Sequence, residues 1–388
     1  MVDARRIVRC HFGRHHLPVH RALARLLTAI AWPPAVLLHL CQIRYHRGSE
    51  AVPIKRAFGA LWAALRHNIL PGEYYAYALW QPDRKANIDN YFYSNEGPRL
   101  FKLLNRPMQS DPIGDKLAFH EMCKAHALPT PAVLAAFSPT GQLLKLQTDW
   151  PPKRDLFVKP RIGLAGDGTE RFRWQSVDFE SNRGHRLKSE DLGEYLTTRA
   201  QAENRTLLVQ PALSNHPELQ VDADAALATA RLVTGISANG DVTPIFGFIY
   251  FARSDRITAQ HGYVALINVT DGRLISVPLQ DSSWIKHSNH QLGNGSDNLR
   301  RLPDWNHHAE HKLPDWSAAL QYVKDAHQAC SNFAFVGWDI AFTDWGPTLL
   351  EGNANWSADE YQSLTGQPLG QTEFANILAA RLKCQLIL

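Results

Sequence analysis

NFAFVGWDIAFTDWGPTLLEGNAN, residues 332–355, is the stretch whose reading decides the fold. Phe333 to Phe342 is rich in aromatic and β-branched residues and predicts a strand. Thr348 to Glu351 predicts a short second strand, and Thr343-Asp344-Trp345-Gly346-Pro347 supplies turn chemistry between them. Each strand carries an acid among apolar residues: Asp339 inside Val336-Gly337-Trp338-Asp339-Ile340-Ala341, and Glu351 after Leu349-Leu350. Asn353 lies two residues on, on the same face of an extended chain. An unpaired carboxylate in an apolar strand is costly, so it wants a cation. Two carboxylates and an amide oxygen on adjacent strands form a hard-oxygen set suited to Mg2+, which keeps waters and takes phosphate oxygens. The blander reading makes Asp339 a turn-proximal surface residue and Glu351 a strand-end charge; the apolar flanks argue against it.

The whole string GWDIAFTDWGPTLLEGNANW resembles the sugar-transfer-associated ATP-grasp family, found with bacterial surface-polysaccharide genes, and D-x(11)-E-x-N across a hairpin is the metal-binding signature of ATP-grasp ligases. The resemblance implies an α+β ATP-grasp fold, two α+β subdomains clasping ATP, and ATP and Mg2+ as cofactors. It covers about residues 100 to 380. It also implies further site residues. The helix predicted from Asp111-Pro112 to His126 contains Asp115-Lys116, and in the family the lysine at Lys116 reaches the nucleotide phosphates. Leu156 to Pro160 predicts a strand carrying Lys159, the second phosphate lysine of the resemblance, followed by the loop RIGLAGDGT with Gly163, Gly166 and Gly168.

On its own chemistry that loop suits phosphate, because glycines let backbone N–H groups come close. It is not a P-loop, since no Gly-Lys-Ser/Thr follows, nor a dinucleotide fingerprint. Thr206 to Pro211 predicts a strand, and Gln210 to Leu213 takes the place of the family's adenine hinge. Thr229-Ala-Arg231-Leu-Val-Thr234 matches a family element whose arginine contacts the transferred phosphate, which makes Arg231 and Lys159 the candidate catalytic residues. Two departures stand out. TAQHGYVALIN, residues 258–268, replaces an Asp-Asn-x-x-x-Gly-Gly element, and Gly337 stands where many ATP-grasp ligases carry an arginine two residues before the metal aspartate. Asn355 is a further candidate for the metal or substrate set.

The 388 residues allow two or three domains. We divide them into a helical basic region, 1–104, and an ATP-grasp domain, 105–388. Five scattered cysteines, an odd number without a C-x-x-C pair, suggest reduced thiols in the cytoplasm rather than a disulfide framework. Residues 1–70 hold eleven Lys/Arg against two acids, a net +9 that leaves −5 for the rest. A basic start on a near-neutral body suggests an anionic partner surface.

Leu26 to Cys41 has no formal charge and is flanked by Arg21, Arg25, Arg44 and Arg47. It begins late for a signal peptide and lacks a small-x-small cleavage site. It is too short for a spanning helix and is interrupted by Pro33-Pro34. An interfacial anchor and a buried core helix both remain open, with the arginines favouring an anionic membrane surface. Val52 to Leu70 shows helical apolar spacing at Ile54, Phe58, Leu61, Trp62, Leu65 and Ile69, stopped by Pro71-Gly72. Glu73 to Trp80 predicts a short aromatic helix. His307, His308 and His311 lack the setting of a metal site.

The function expected is an ATP- and Mg2+-dependent carboxylate–amine ligase of surface-polysaccharide or envelope biosynthesis, cytoplasmic or peripheral on the inner face of the plasma membrane. Its substrate would be a small-molecule or lipid-linked saccharide, and no nucleic-acid partner is expected. A kinase acting on a hydroxyl, or a catalytically silent ATP-binding partner of a glycosyltransferase, are the alternatives.

Overall fold

The computed structural model describes residues 54–67, 69–94, 96–105, 112–146, 149–163, 166–219, 226–251, 263–275 and 311–386, with isolated positions between 23 and 38. Most of the arginine-flanked 26–41 stretch, the 252–262 part of the departing element, His307 and His308 lie outside them.

The hairpin that opened the reading is real and longer than expected. β12 (Phe335–Thr343) and β13 (Gly346–Asn353) pair from Thr343↔Gly346 to Gly337↔Asn353. The second strand therefore starts before Thr348, at Gly346, whose φ of +100 closes a two-residue turn. Pro347 lies within the strand because β13 is a sheet edge, where a missing N–H costs nothing. Asp339 sits opposite Glu351.

This hairpin ends a six-stranded sheet in the order β11-β10-β9-β8-β12-β13. Its other members are β8 (Thr229–Ile236), β9 (Val242–Phe251), β10 (Tyr263–Ile267) and β11 (Leu274–Ile275), all antiparallel. Side chains at paired positions share a face, so Phe248, Arg231, Asp339 and Glu351 form one row across four strands. The opposite face buries Leu232, Ile249, Trp338 and Ile340 under α7 (Trp316–Ala329) and α5 (Lys116–Ala125).

A second, seven-stranded antiparallel sheet runs β2-β1-β7-β3-β4-β5-β6. Its strands are β1 (Ala135–Phe137), β2 (Leu143–Leu146), β3 (Leu156–Pro160), β4 (Glu170–Trp174), β5 (Asp178–Ser181), β6 (Arg186–Lys188) and β7 (Leu207–Pro211). It packs on α6 (Leu192–Glu203) through Leu156, Val158, Phe172, Leu192 and Leu196. Arg199 on α6 reaches the fully buried Glu170 at 2.8 Å, an ion pair inside this core.

Several helix boundaries differ from the sequence reading. α5 starts at Lys116, not at Asp111-Pro112: Asp115 caps it, accepting from the N–H groups of Leu117 and Ala118 at 3.0 and 3.2 Å. The strand expected from Pro131 is only β1. Pro71 stands at the first turn of α2 (Pro71–Ala76), so the predicted stop opens the next helix, which ends before Trp80. α3 (Pro82–Ala86) was not predicted, and α4 (Gly97–Leu104) was. The last stretch, Gln371 to Leu388, reads in the sequence as a helix with a strand-like tail, and the helix is α9 (Glu373–Leu386), which follows α8 (Asp359–Thr365).

The division at 104/105 does not separate two cores. Phe92, Leu100, Phe101 and Leu104 share one cluster with Phe246, Phe335, Trp356 and Phe374. Tyr77 donates to Asp359 at 2.5 Å, and Gln362 pairs both backbone groups of Phe92. Beneath this joint lies the buried Glu73 of α2. Its carboxylate accepts from the N–H and hydroxyl of Ser94 at 2.6 and 2.9 Å. Burial, and then the nearby Asp359, pushes Glu73 from the ordinary 4.5 up to about 8.

That acid binds its proton more tightly folded than unfolded, so its contribution is complete below about 4.5 and is lost as pH rises through about 8. Thermal melts from pH 6 to 9 are expected to show wild type losing ground to Glu73→Gln, the gap in Tm widening with pH. Parallel curves would contradict the assignment.

Candidate active site

Between the two sheets lies a cleft lined by Phe157, Lys159 and Gln210 from one side and by Thr229, Arg231, Tyr250, Asp339 and Glu351 from the other. Lys116, Gly163, Gly166, Pro131, Ala212 and Leu213 complete its wall. Of the residues singled out in the sequence, the cleft thus gathers Lys116, Lys159, Gly163, Gly166, Gln210, Leu213, Arg231, Asp339 and Glu351. Gly168, Asn353 and Asn355 are not in its wall. Gly168, with φ +73, packs its loop down on Pro160, where a Cβ would come within 2.9 Å of the ring. Asn355 is exposed.

Each carboxylate of the hairpin is held by a cation from another element. Arg231, opposite Asp339 on the adjacent strand, grips it with two hydrogen bonds, Nε to Oδ1 and Nη2 to Oδ2, the latter at 3.0 Å. Lys116 Nζ lies 3.1 Å from Glu351 Oε2 and donates to the Gly163 carbonyl at 2.8 Å. The sequence expectation put both cations on phosphate; here they rest on the acids. Asn353 Nδ2 donates to Glu351 Oε1 at 3.3 Å, so its side chain turns to the same face.

The electrostatics follow from this pairing. Burial raises the Asp339 carboxyl, and Arg231 opposes it, leaving a value of about 6. Burial would also raise Glu351, but Lys116 and then Lys159 outweigh it and hold that carboxyl below its usual range. Burial would lower Arg231, and Asp339 more than reverses it. Lys159 has no such direct partner: it is buried, and desolvation brings it down to about 8 against the pull of Glu351. A poorly compensated buried ammonium in a cleft is a strong demand for an anion.

The loop that carries the glycines is anchored at its base. Arg161 forms a bidentate pair with Asp115, Nε at 2.9 Å from both oxygens, and its carbonyl accepts from the Lys116 N–H at 3.1 Å. The helix cap, the first phosphate lysine and the loop after the second are thus one hydrogen-bonded unit. Sequence reasoning missed this, and it expected pocket residues from Tyr250 to Asn268 without a role for Tyr250, whose hydroxyl donates to Glu360 at 3.3 Å beside Arg231. Asp115 stood next to Lys116, but nothing local pairs it with Arg161.

The residues fit a magnesium nucleotide. Asp339, Glu351 and Asn353 offer two carboxylates and an amide oxygen on one face. Among the described residues no group of three or more His, Cys, Asp or Glu forms a metal cage. A set this open suits an ion that brings water and phosphate ligands of its own. Lys116, Lys159 and Arg231 supply cations for the phosphates, and Gln210 and Leu213 line the cleft beside the β7 strand end.

A model of the sugar-transfer-associated ATP-grasp proteins matches residues 97–373. No curated protein matches. Among solved structures, N5-carboxyaminoimidazole ribonucleotide synthetase from Thermotoga maritima is 12% identical with a TM-score of 0.33, over 70% of this chain and 49% of that one. D-alanine–D-alanine ligase from Bacillus anthracis is 11% identical with a TM-score of 0.39, over 75% and 76%. D-alanyl-alanine synthetase A from Vibrio cholerae is 12% identical with a TM-score of 0.39, over 73% and 68%. The chain spans about half the length of the synthetase. Likenesses of this size carry no argument about activity.

Removing one charged phosphate contact weakens binding by roughly ten- to a hundredfold. Calorimetry with Mg2+ and ADP is therefore expected to show that loss for Lys116→Met and for Lys159→Met, and none for the exposed Lys153→Met. Unchanged affinity in both cleft variants would remove the nucleotide from this cleft.

Proposed function

The chain belongs to the sugar-transfer-associated ATP-grasp family, with its α+β ATP-grasp fold and its cofactors ATP and Mg2+, and from that premise we propose that it is a carboxylate–amine ligase of surface-polysaccharide or cell-envelope biosynthesis. The observation that carries the reading is the convergence of two paired carboxylates and three cations on one cleft. When bound, ATP supplies the phosphoryl group that activates a substrate carboxylate, and Mg2+ neutralises the phosphate charge.

The residues then divide the work. Asp339, Glu351 and Asn353 hold the metal. Lys116 and Lys159 hold the phosphates, and their charge compensates what develops there. Arg231, lying beside the metal carboxylate, faces the transferred group. An acyl-phosphate formed on the substrate is taken by an amine, with phosphate leaving. No covalent protein nucleophile is needed, which fits a cleft without a Ser, Cys or His nucleophile in its wall. The saccharide link in the family's name and the basic N-terminal residues support a reading in which the substrate is a lipid-linked or small saccharide met at the inner face of the plasma membrane.

A screen of acid and amine pairs for ADP release, with products identified by mass spectrometry, tests the chemistry. Hydroxylamine is expected to trap the activated acid as a hydroxamate, and Asp339→Asn to remove ADP release by at least about a hundredfold, in line with the loss of a group acting in the transition state. A stable phosphorylated sugar in place of a hydroxamate would make the protein a kinase. Cellular function that survives Asp339→Asn would make it a silent nucleotide-binding partner.

A further inference from the structure

Helix α1 (Ile54–His67) is built the wrong way round for a helix of a simple globular core. Its buried side chains are small: Ala60, Ala63 and Ala64 are at most 1% exposed. Its large apolar side chains point out: Phe58 is 68% exposed, Trp62 42% and Leu65 49%. Cores ordinarily take Phe, Trp and Leu first. The inward face explains how this arises. α1 lies so close to α2 that a Cβ at Gly59 would fall 2.1 Å from the Tyr74 hydroxyl oxygen, and the rest of the inward face is built of the small Ala60, Ala63 and Ala64. The aromatic residues have no room on that side, and their i, i+4, i+7 spacing collects them into one outward stripe.

The charge around the stripe is mainly basic, with one acid, Asp89, meeting His67 at 3.2 Å at the helix end. Exposed Lys55 and Arg66 stand at its two ends, and the Lys85 ammonium sits 4.9 Å from the centre of the Trp62 ring. The helix itself contains no acid. A second copy seated on this face would set these cations against their equals. In the preceding stretch, the described residues Leu23, Leu26, Ile30, Leu37 and Leu38 are helical and 47–66% exposed, which is not the burial a core helix would give them. An apolar stripe with an indole at its centre and lysine and arginine at its rim matches the boundary of a bilayer carrying anionic head groups.

We propose that the outward face of α1, through Phe58, Trp62 and Leu65 with Lys55 and Arg66 at its rim, is a docking surface for an anionic lipid membrane. No described helix is long and apolar enough to cross a membrane. The stripe enters the head-group region and the cations meet the lipid charge. This inference rests on the peripheral location proposed above and is independent of the ligase chemistry.

Flotation of the full chain with vesicles tests it, with phosphatidylcholine alone compared against an equimolar mixture with phosphatidylglycerol. Wild type is expected to float with the mixed vesicles, less so as salt is added. Phe58→Ser/Trp62→Ser/Leu65→Ser should reduce partition by at least about tenfold. Lys55→Gln/Arg66→Gln should reduce it by roughly tenfold on the mixed vesicles and leave neutral vesicles unaffected. Unchanged Mg2+·ADP affinity in each variant shows that the fold is intact. Wild type that fails to float overturns the peripheral location itself. A floating triple variant overturns only the α1 surface. A concentration-dependent dimer that the triple variant loses assigns the face to a second copy and overturns the lipid. None of these outcomes depends on finding the ligase's substrates.

Discussion

Two acids buried side by side on neighbouring strands are the constraint around which this protein is arranged. Asp339 and Glu351 face each other across the hairpin, and the interior would make their ionised forms expensive. Two cations from elsewhere in the chain meet that cost: Arg231 from β8 and Lys116 from the start of α5. Removing one partner from such a half-buried pair leaves the other charge uncompensated in the cleft wall. The pairing therefore fixes where β8 and α5 must sit. It also makes the cleft electrically ready. A magnesium ion taking the carboxylates would free the same two cations for phosphate, so the charges that hold the ligand-free cleft together are those that a nucleotide needs.

The second sheet contributes what the first lacks. Lys159 comes up from β3 without a direct anionic partner, and Arg161 beyond it is tied to Asp115 at the foot of α5. That tie joins the seven-stranded sheet to the element that holds Lys116. Lys116 and Lys159 are consequently positioned with respect to each other by a bidentate ion pair and a backbone hydrogen bond. Precise placement of point charges is what phosphoryl transfer asks of a protein.

How much of this the sequence could reveal depends on the range of the interaction. The hairpin, β3, β7, β8 and α7 were legible because each is a local pattern: period two with bounding turns, or period 3.6 with a stop. Asp339, Glu351 and the lysines were legible because an acid or a terminal lysine within an apolar run is locally anomalous. The partners were not. Arg231 and Asp339 are 108 residues apart, and Arg161 and Asp115 46, and no local signal records which cation meets which acid. Periodicity likewise found the Phe58-Trp62-Leu65 stripe of α1 but could not say which side of the helix faces inward. That was decided by the small face at Gly59, Ala60 and Ala63 packing against Tyr74. Pro347 misled the reading for a similar reason, since only the sheet order reveals that β13 is an edge.

Gly337 shows what a departure from a family pattern can mean once the neighbours are known. The resemblance expects an arginine there, two residues before the metal aspartate and on its face of the strand. In this chain a Cβ at that point would lie 3.2 Å from Cδ of Arg231 and 3.1 Å from Cβ of Trp356. The space an arginine would need is already crossed by the stem of another arginine, which reaches Asp339 from the adjacent strand. Arg231, which the resemblance already expects on β8, therefore crowds the place where a second arginine would rise from β12. A side chain at 337 would make Arg231 or Trp356 give by a few tenths of an ångström, and glycine leaves the Arg231–Asp339 pair undisturbed. Read along one strand, the position looks like a lost site residue; read across the sheet, it is the clearance for the arginine that neutralises Asp339.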